Sequence, residues 1–355
     1  MPRLILLIFL LLAPYTQTHA AVNENIIREI LSTIDNQYYQ EINRPEAVLT
    51  GLSALSDIDS SFHITKGTER FYIYHHNTVV RVIPFPENDE SLSAWQETLI
   101  KVFQAAIEIS EPIAIKDFEL PDLFTRKLLT ELDEYSHYYS PYDYVENERS
   151  NAFHTLFSAR LIDNVLYLRV RIFNKQTAAN IEKSLRDHPE ISGVILDLRG
   201  NSGGILNAAL KTANFFTDNE IITYTAEKDN RNIHYYTSEE GELYNGPLVI
   251  LIDGQTASAA EVLAAGLQEQ SRAKLIGTRS FGKGTIQKVT HIGNGGKLAL
   301  TTAQFFTPSG KKIHRRGVIP DFCTVSDEQN ICRKAERLDN DEDLNTAIKV
   351  IKNEL

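Results

Sequence analysis

The chain has 355 residues, 42% of them hydrophobic, which is ample for a buried core in one principal domain with an N-terminal accessory region. A formal net charge of -11 argues against a general nucleic-acid surface; the one basic cluster, Lys311-Lys312-Ile313-His314-Arg315-Arg316, reads as solvated charge beside a strand. The ten histidines show no ligand spacing and no H-E-x-x-H occurs, so neither a metal nor a cofactor is expected.

At the start, Arg3 precedes the apolar run Leu4 to Ala13, and Thr18-His19-Ala20 supplies small residues for cleavage. Residues 1–20 therefore read as a secretory signal peptide, with an uncleaved anchor as the alternative. The run is too short to span a bilayer, and no later stretch is long and apolar enough, so a periplasmic or secreted protein is expected. Next, Ile26, Ile27, Ile30, Leu31 and Ile34 repeat at helical spacing. Phe71 to Tyr74 and Val79 to Ile83 predict two strands joined at His75-His76-Asn77 as a hairpin. A further helix is expected over Leu92 to Ile109. Leu52 to Phe62 faintly echoes Leu128 to Tyr138, too briefly to be a repeat.

From Asn164 onward, strand and helix patterns alternate. Strands are expected at Asn164–Phe173, Gly193–Asp197, Ile221–Thr225, Leu248–Ile252, Lys274–Ile276 and Thr285–His291, and helices at Thr177–Asp187, Asn207–Phe216 and Ala259–Gln268. The second strand runs into a glycine-rich turn, Asp197-Leu198-Arg199-Gly200-Asn201-Ser202-Gly203-Gly204. Neither nucleotide fingerprint, G-x-x-x-x-G-K-[ST] or G-x-G-x-x-G, is present there. A close backbone approach to another group and a simple tight turn both fit.

The most informative residues are Thr256-Ala257-Ser258-Ala259-Ala260-Glu261 and, 25 positions after the serine, Lys283 in Phe281-Gly282-Lys283-Gly284-Thr285-Ile286-Gln287. Ser258 lies between an apolar strand and an alanine-rich helix. At a helix N-terminus the unpaired N–H groups and the dipole favour an oxyanion, with the Ala259 N–H a natural donor. Strand alternation puts Lys283 and Gln287 on one face, where the amide can orient the lysine. A lysine acts as general base only when neutral, which burial promotes. The plainer alternatives are a capping box at Ser258-Ala-Ala-Glu261 and a solvated strand-edge lysine. A histidine base, His291 or His314, is a further option, although no G-x-S-x-G elbow surrounds Ser258. Glu269, eleven residues after Ser258, reads as a solvent-facing helix charge.

These motifs in this order, with Thr301 to Gly310 and Gly317-Val318-Ile319-Pro320-Asp321, resemble the C-terminal processing (tail-specific) peptidases, serine peptidases of the S41 type, over Leu161 to Asp321. The resemblance implies an α/β fold: a crotonase/ClpP-like core of coiled ββα units, here with an N-terminal mostly helical accessory region. It further implies Ser258 as nucleophile, Lys283 as base, Gln287 as the residue positioning it, and oxyanion donors at the N–H of Ala259 and of Gly203. Such an enzyme would act on protein or peptide substrates at exposed, C-terminal or unfolded segments. The alternative is a non-catalytic peptide-binding scaffold of the same fold in the cell envelope.

One departure from the family bears on function. Leu128 to Pro141 resembles the segment that precedes a PDZ domain in many relatives, yet the first core strand follows after about twenty residues, leaving no room for one. Its function is then missing, supplied by another segment such as the region Asn23 to Pro121, or supplied by an activator or adaptor protein. The expected organisation is therefore a signal peptide at 1–20, an accessory or cap region at 21–150, a peptidase core at 151–325 and a C-terminal helical tail at 326–355. In an exported chain Cys323 and Cys332 favour one disulfide closing a short loop, with two free thiols as the alternative.

Overall fold

The computed structural model describes residues 24–87, 91–143, 156–228, 231–326, 331–337 and 341–355. The expected signal peptide lies outside them. Two compact units emerge. One comprises residues up to 147 together with 287–302, and the other 148–286 together with 303–355.

In the first unit, helix α1 spans 24–37 and buries Ile26, Ile27, Ile30, Leu31 and Ile34, the face its spacing predicts. Helices α2 (Arg44–Leu52), α3 (Ala54–Ile58), α4 (Leu92–Ile109), α5 (Glu111–Ile115) and α6 (Leu120–Leu132) follow. Between α3 and α4 an antiparallel sheet, β1 (Phe62–Lys66), β2 (Arg70–His75) and β3 (Thr78–Pro84), adds one strand to the expected hairpin. His76 and Asn77 turn that hairpin at φ 48° and 60°, as a two-residue loop of matching twist requires. The inward residues Phe62, Phe71 and Ile73 are fully buried with Trp95, Leu99 and Phe124 in one core.

α3 and α6 share a stopping device. Asp59 ends α3 and accepts the N–H and hydroxyl of Ser61 at 2.9 and 2.6 Å. Asp133 ends α6 and accepts the N–H and hydroxyl of Ser136, both at 2.8 Å. In each case the aspartate offers the chain an alternative to another helical turn. The chain then enters β1 in one case and β4 (His137–Tyr139) in the other.

The second unit is built on a six-stranded sheet. It comprises β5 (Phe157–Ile162), β6 (Val165–Val170), β7 (Gly193–Asp197), β10 (Leu248–Ile252), β11 (Lys274–Gly277) and β14 (Phe322–Cys323), in the spatial order 14-11-10-7-6-5. All pairs are parallel except β5 with β6. The strand expected at Asn164–Phe173 is β6, and the unexpected β5 joins it in a hairpin turned at Asp163 and Asn164, both at positive φ. Every residue of β7 and β10 is buried, as central parallel strands covered on both faces must be.

Alternate residues face alternate layers. Leu166, Leu168, Val194, Leu196, Ile250 and Ile252 pack under helices α7 (Thr177–Asp187), α8 (Leu206–Asn214) and α9 (Ala259–Glu269). Val165, Tyr167, Ile195, Val249, Leu251 and Ile276 pack against Ala347 and Ile351 of α10 (Asp341–Ile351). Among the described residues of the expected C-terminal tail, helix is confined to α10, and residues 331–337 carry none. β8 (Ile221–Ala226) pairs antiparallel with β9 (His234–Thr237) and with Gln304–Phe306 of the ten-residue β13 (Lys297–Phe306). β12 (Thr285–His291) has its expected limits, and Lys297–Ala299 of β13 pair with β4.

Candidate active site

The loops of interest leave the C-terminal ends of parallel strands, where open α/β sheets present their ligand crevices. After β7 the chain turns through Arg199 to Gly204. Asn201 is fully buried and organises this turn: its Nδ2 donates to the Val170 carbonyl at 2.9 Å and its Oδ1 accepts the Gly203 N–H at 2.8 Å. Gly203 sits at φ 103°, and a Cβ built on it would lie 2.8 Å from Ser258 Cβ and 3.0 Å from the Ala259 nitrogen. Only glycine permits both that backbone conformation and that approach. Gly203, Ser258 and Ala259 are thereby brought together, with the Gly203 N–H engaged by Asn201.

After β10 comes the turn bearing Ser258. Asp253, fully buried, accepts with Oδ1 the N–H groups of Gly200, Gln255 and Thr256 at 2.9, 3.0 and 3.1 Å. Thr256 Oγ1 donates to the Leu198 carbonyl, and the Ala257 N–H to the Asn201 carbonyl, both at 2.9 Å. These bonds register the serine turn against the glycine-rich turn. Ser258 is the N-cap of α9 at φ 56°, ψ -122°, a sparsely populated region for a residue with a side chain.

After β11 comes the turn bearing Lys283, a partly buried residue. One carboxylate joins it to the serine. Glu261 Oε2 accepts the N–H of Ser258 at 2.9 Å and of Lys283 at 2.8 Å, while Oε1 accepts the N–H of Gly282 at 2.6 Å and the Ser280 hydroxyl at 2.5 Å. Ser280 Oγ in turn accepts the Val318 N–H at 2.6 Å. Burial pushes the Glu261 carboxyl up, against the pull of its four donors. The glutamate of the expected capping box does reach back to Ser258, but it also clamps a turn more than twenty residues away. The S-x-x-E spacing signals the first role, whereas nothing local signals the second.

Behind the glycine-rich turn, Arg199 is buried between two carboxylates. Its Nε and Nη2 bond Asp197 at 2.9 and 2.7 Å, and its Nη1 lies 3.4 Å from Asp343. The Tyr167 hydroxyl donates to Asp197 Oδ2 at 2.5 Å; burial and that carboxylate push the phenol up to about 12. Cys323 and Cys332 are joined in a disulfide.

Two further candidate residues are held by bonds of their own. Gln287 belongs to the first unit, where its Nε2 donates to Thr301 Oγ1 at 3.2 Å and Thr301 Oγ1 donates to Asp133 Oδ1 at 3.1 Å. With Nε2 so engaged, Oε1 is the acceptor end of that amide. Glu269 is not a solvent-facing helix charge. It accepts the N–H and hydroxyl of Ser309 at 2.8 and 2.7 Å and Lys311 Nζ at 3.1 Å, so it pins the loop after β13 to the end of α9. Those bonds hold its carboxyl below the usual range despite the opposing effect of partial burial.

Comparison with known proteins follows the same residues. Residues 164–324 match the family model described as peptidase family S41. Over that span the chain is similar to peptidase family S41. The carboxy-terminal-processing protease of Bartonella bacilliformis is 35% identical over 170 residues, 46% of this chain and 39% of that protein. The carboxyl-terminal-processing protease of Picosynechococcus sp. is 36% identical over 161 residues, 45% and 39% respectively. The chain thus spans well under half the length of these curated relatives. Among solved structures, a lipoprotein from Streptococcus agalactiae superposes with a TM-score of 0.51 at 16% identity, covering 72% of this chain and 95% of that one, which is a likeness of fold. The family S41 match includes Gly203, Ser258, Glu261, Lys283 and Gln287 and stops before residues 331–337 and α10.

Proposed function

We propose that the protein is an exported serine endopeptidase that cleaves exposed, C-terminal or unfolded segments of protein and peptide substrates through an acyl-enzyme. The observation that carries this reading is the Glu261 carboxylate, which ties the backbone of Ser258 to that of Lys283 in a core similar to peptidase family S41. In the reading, Ser258 Oγ attacks the scissile carbonyl carbon while Lys283 Nζ, as the neutral amine, takes the hydroxyl proton. The oxyanion is received by the Ala259 N–H and by the Gly203 N–H, the latter exchanging Asn201 Oδ1 for it. Collapse breaks the C–N bond, and the lysine returns the proton to the leaving amine. Water, deprotonated by the same lysine, then attacks the ester and releases Ser258. Gln287 positions the lysine, with its acceptor oxygen set by the bond from its Nε2 to Thr301. Export is supported by the leader-like first twenty residues and by the Cys323–Cys332 disulfide.

The test is digestion of an unfolded model protein by the purified chain beside Ser258→Ala, Lys283→Ala and Gln287→Ala, with cleavage sites read by mass spectrometry. Cleavage should vanish in the first two variants and only weaken in the third, since water can partly replace an orienting amide. Cleavage that survives Lys283→Ala would overturn the dyad, and a wild type that never cleaves, alone or with envelope extract, would overturn the peptidase reading.

A further inference from the structure

Residues 333–337 lie beyond the family S41 match, yet they bond to each of the three loops described above. The Arg333 carbonyl accepts the Arg279 N–H at 3.0 Å, on the loop leading to Lys283. The Ala335 carbonyl accepts the Gly254 N–H and the Thr278 hydroxyl, each at 2.7 Å, so it links the serine turn to the lysine loop. The Arg337 N–H donates to Asp253 Oδ2 at 3.1 Å, and the Arg337 carbonyl accepts Arg199 Nη1 at 3.1 Å. Lys334 Nζ donates to the Phe281 carbonyl and stands 5.1 Å above that ring. Both ends of the segment are fastened. Cys332 is bonded to Cys323, and the Arg337 guanidinium meets the buried Asp343 carboxylate at 3.1 and 3.4 Å.

The geometry points to residues 333–337 as a positioning strap that holds the loops of Gly203, Ser258 and Lys283 in mutual register, kept seated by the Cys323–Cys332 disulfide. This rests on the peptidase reading for its chemistry, though not for its mechanics. Asp253 is the hub: one oxygen gathers the Gly200 and Thr256 amides and the other takes the strap. None of the strap's groups touches a reacting atom in this account. A strap bonded to three loops acts on the distances between them, and small displacements of reacting groups cost rate far more than they cost binding.

Gly254 offers a probe confined to this contact, because a Cβ there would fall 3.0 Å from both the Ala335 nitrogen and oxygen and 3.2 Å from its carbonyl carbon. Gly254→Ala must therefore push the strap outward by a few tenths of an ångström. The experiment compares it, and Cys323→Ser/Cys332→Ser, with the wild type by three readouts: labelling of Ser258 by a fluorophosphonate, kcat and KM on a peptide, and hydrogen exchange. Labelling rate and kcat should fall at least about ten-fold with KM within about two-fold and the melting temperature well above that of the assay. Exchange should quicken selectively at 197–204, 253–258 and 278–283. Unchanged exchange in these loops, or a loss of rate that merely tracks global unfolding, would overturn the proposal. A wild type that is neither labelled nor active, alone or with envelope extract, refutes the peptidase reading, while exchange still decides whether the strap holds the loops.

Discussion

Replacing Glu261 by glutamine keeps the shape of the side chain and removes half of its accepting capacity, so its cost can be worked from the four bonds. If the new NH2 takes the place of Oε1, the Ser280 oxygen can accept from it as well as from Val318, its hydroxyl proton turning to another acceptor, and the Gly282 N–H is left facing a donor. One buried unsatisfied N–H costs about 1–3 kcal/mol. In the opposite orientation both the Ser258 and Lys283 N–H groups lose their acceptor, and the cost is about 2–6 kcal/mol. The first orientation is preferred, so Glu261→Gln should lose about 1–3 kcal/mol in urea denaturation while remaining folded, given a typical stability of about 5–15 kcal/mol. Because Gly282 precedes the lysine, the cleavage rate should fall further than stability alone requires, by about 100-fold for a shift near 1 Å. A glutamine variant with stability within about 0.5 kcal/mol and a rate within two-fold of wild type would show that this carboxylate does not hold the two turns together.

Gly203→Ala should abolish most cleavage at a modest cost in stability of about 1–3 kcal/mol, since φ 103° strains any side chain and the new methyl meets Ser258 Cβ at 2.8 Å; a fully active alanine variant would refute the close apposition. In the first unit, hydrogen bonds from Ser110 and then Ser61 hold the Asp59 carboxyl at about 2 rather than 3.8. Its stabilising contribution is therefore complete above about pH 4 and is lost as the pH falls from about 4 to about 2. Asp59→Asn should accordingly be less stable than wild type near neutrality, by a margin that closes over that acid range; a constant margin in pH-dependent denaturation would refute this.

Much of the second unit was readable from local pattern. The apolar runs 193–196 and 248–252 are strands because a parallel strand covered on both faces is predominantly apolar, with Asp197 at the end of β7 bonded by Arg199 and Tyr167, and the alanine-rich stretch after Ser258 is α9. The face of α1 and the turn at His76-Asn77 followed from helical period and hairpin twist in the same way. Strands β1, β5 and β9 carry weaker patterns, because exposed and half-exposed strands need little apolar alternation and take their structure from a neighbour. β13 was visible as a motif, but its strand was not assigned.

What the sequence determines by itself about the candidate site is its inventory: a serine at a helix start, a lysine between glycines, a glycine-rich turn after a strand. Only the tertiary structure decides what these residues do to one another. Glu261 serves Ser258 as a cap three residues away and Lys283 as a clamp 22 residues away, because β10 and β11 lie side by side. Glu269 looks like a surface charge until the loop at Ser309 folds onto it. The strap at 333–337 has no motif, since it works through backbone N–H and C=O groups that every residue carries. Local sequence governs which element forms and where it stops, through side-chain period and capping. Which donor meets which acceptor across the fold is settled when buried polar groups, unable to reach water, must find partners on whatever chain packing has placed within reach.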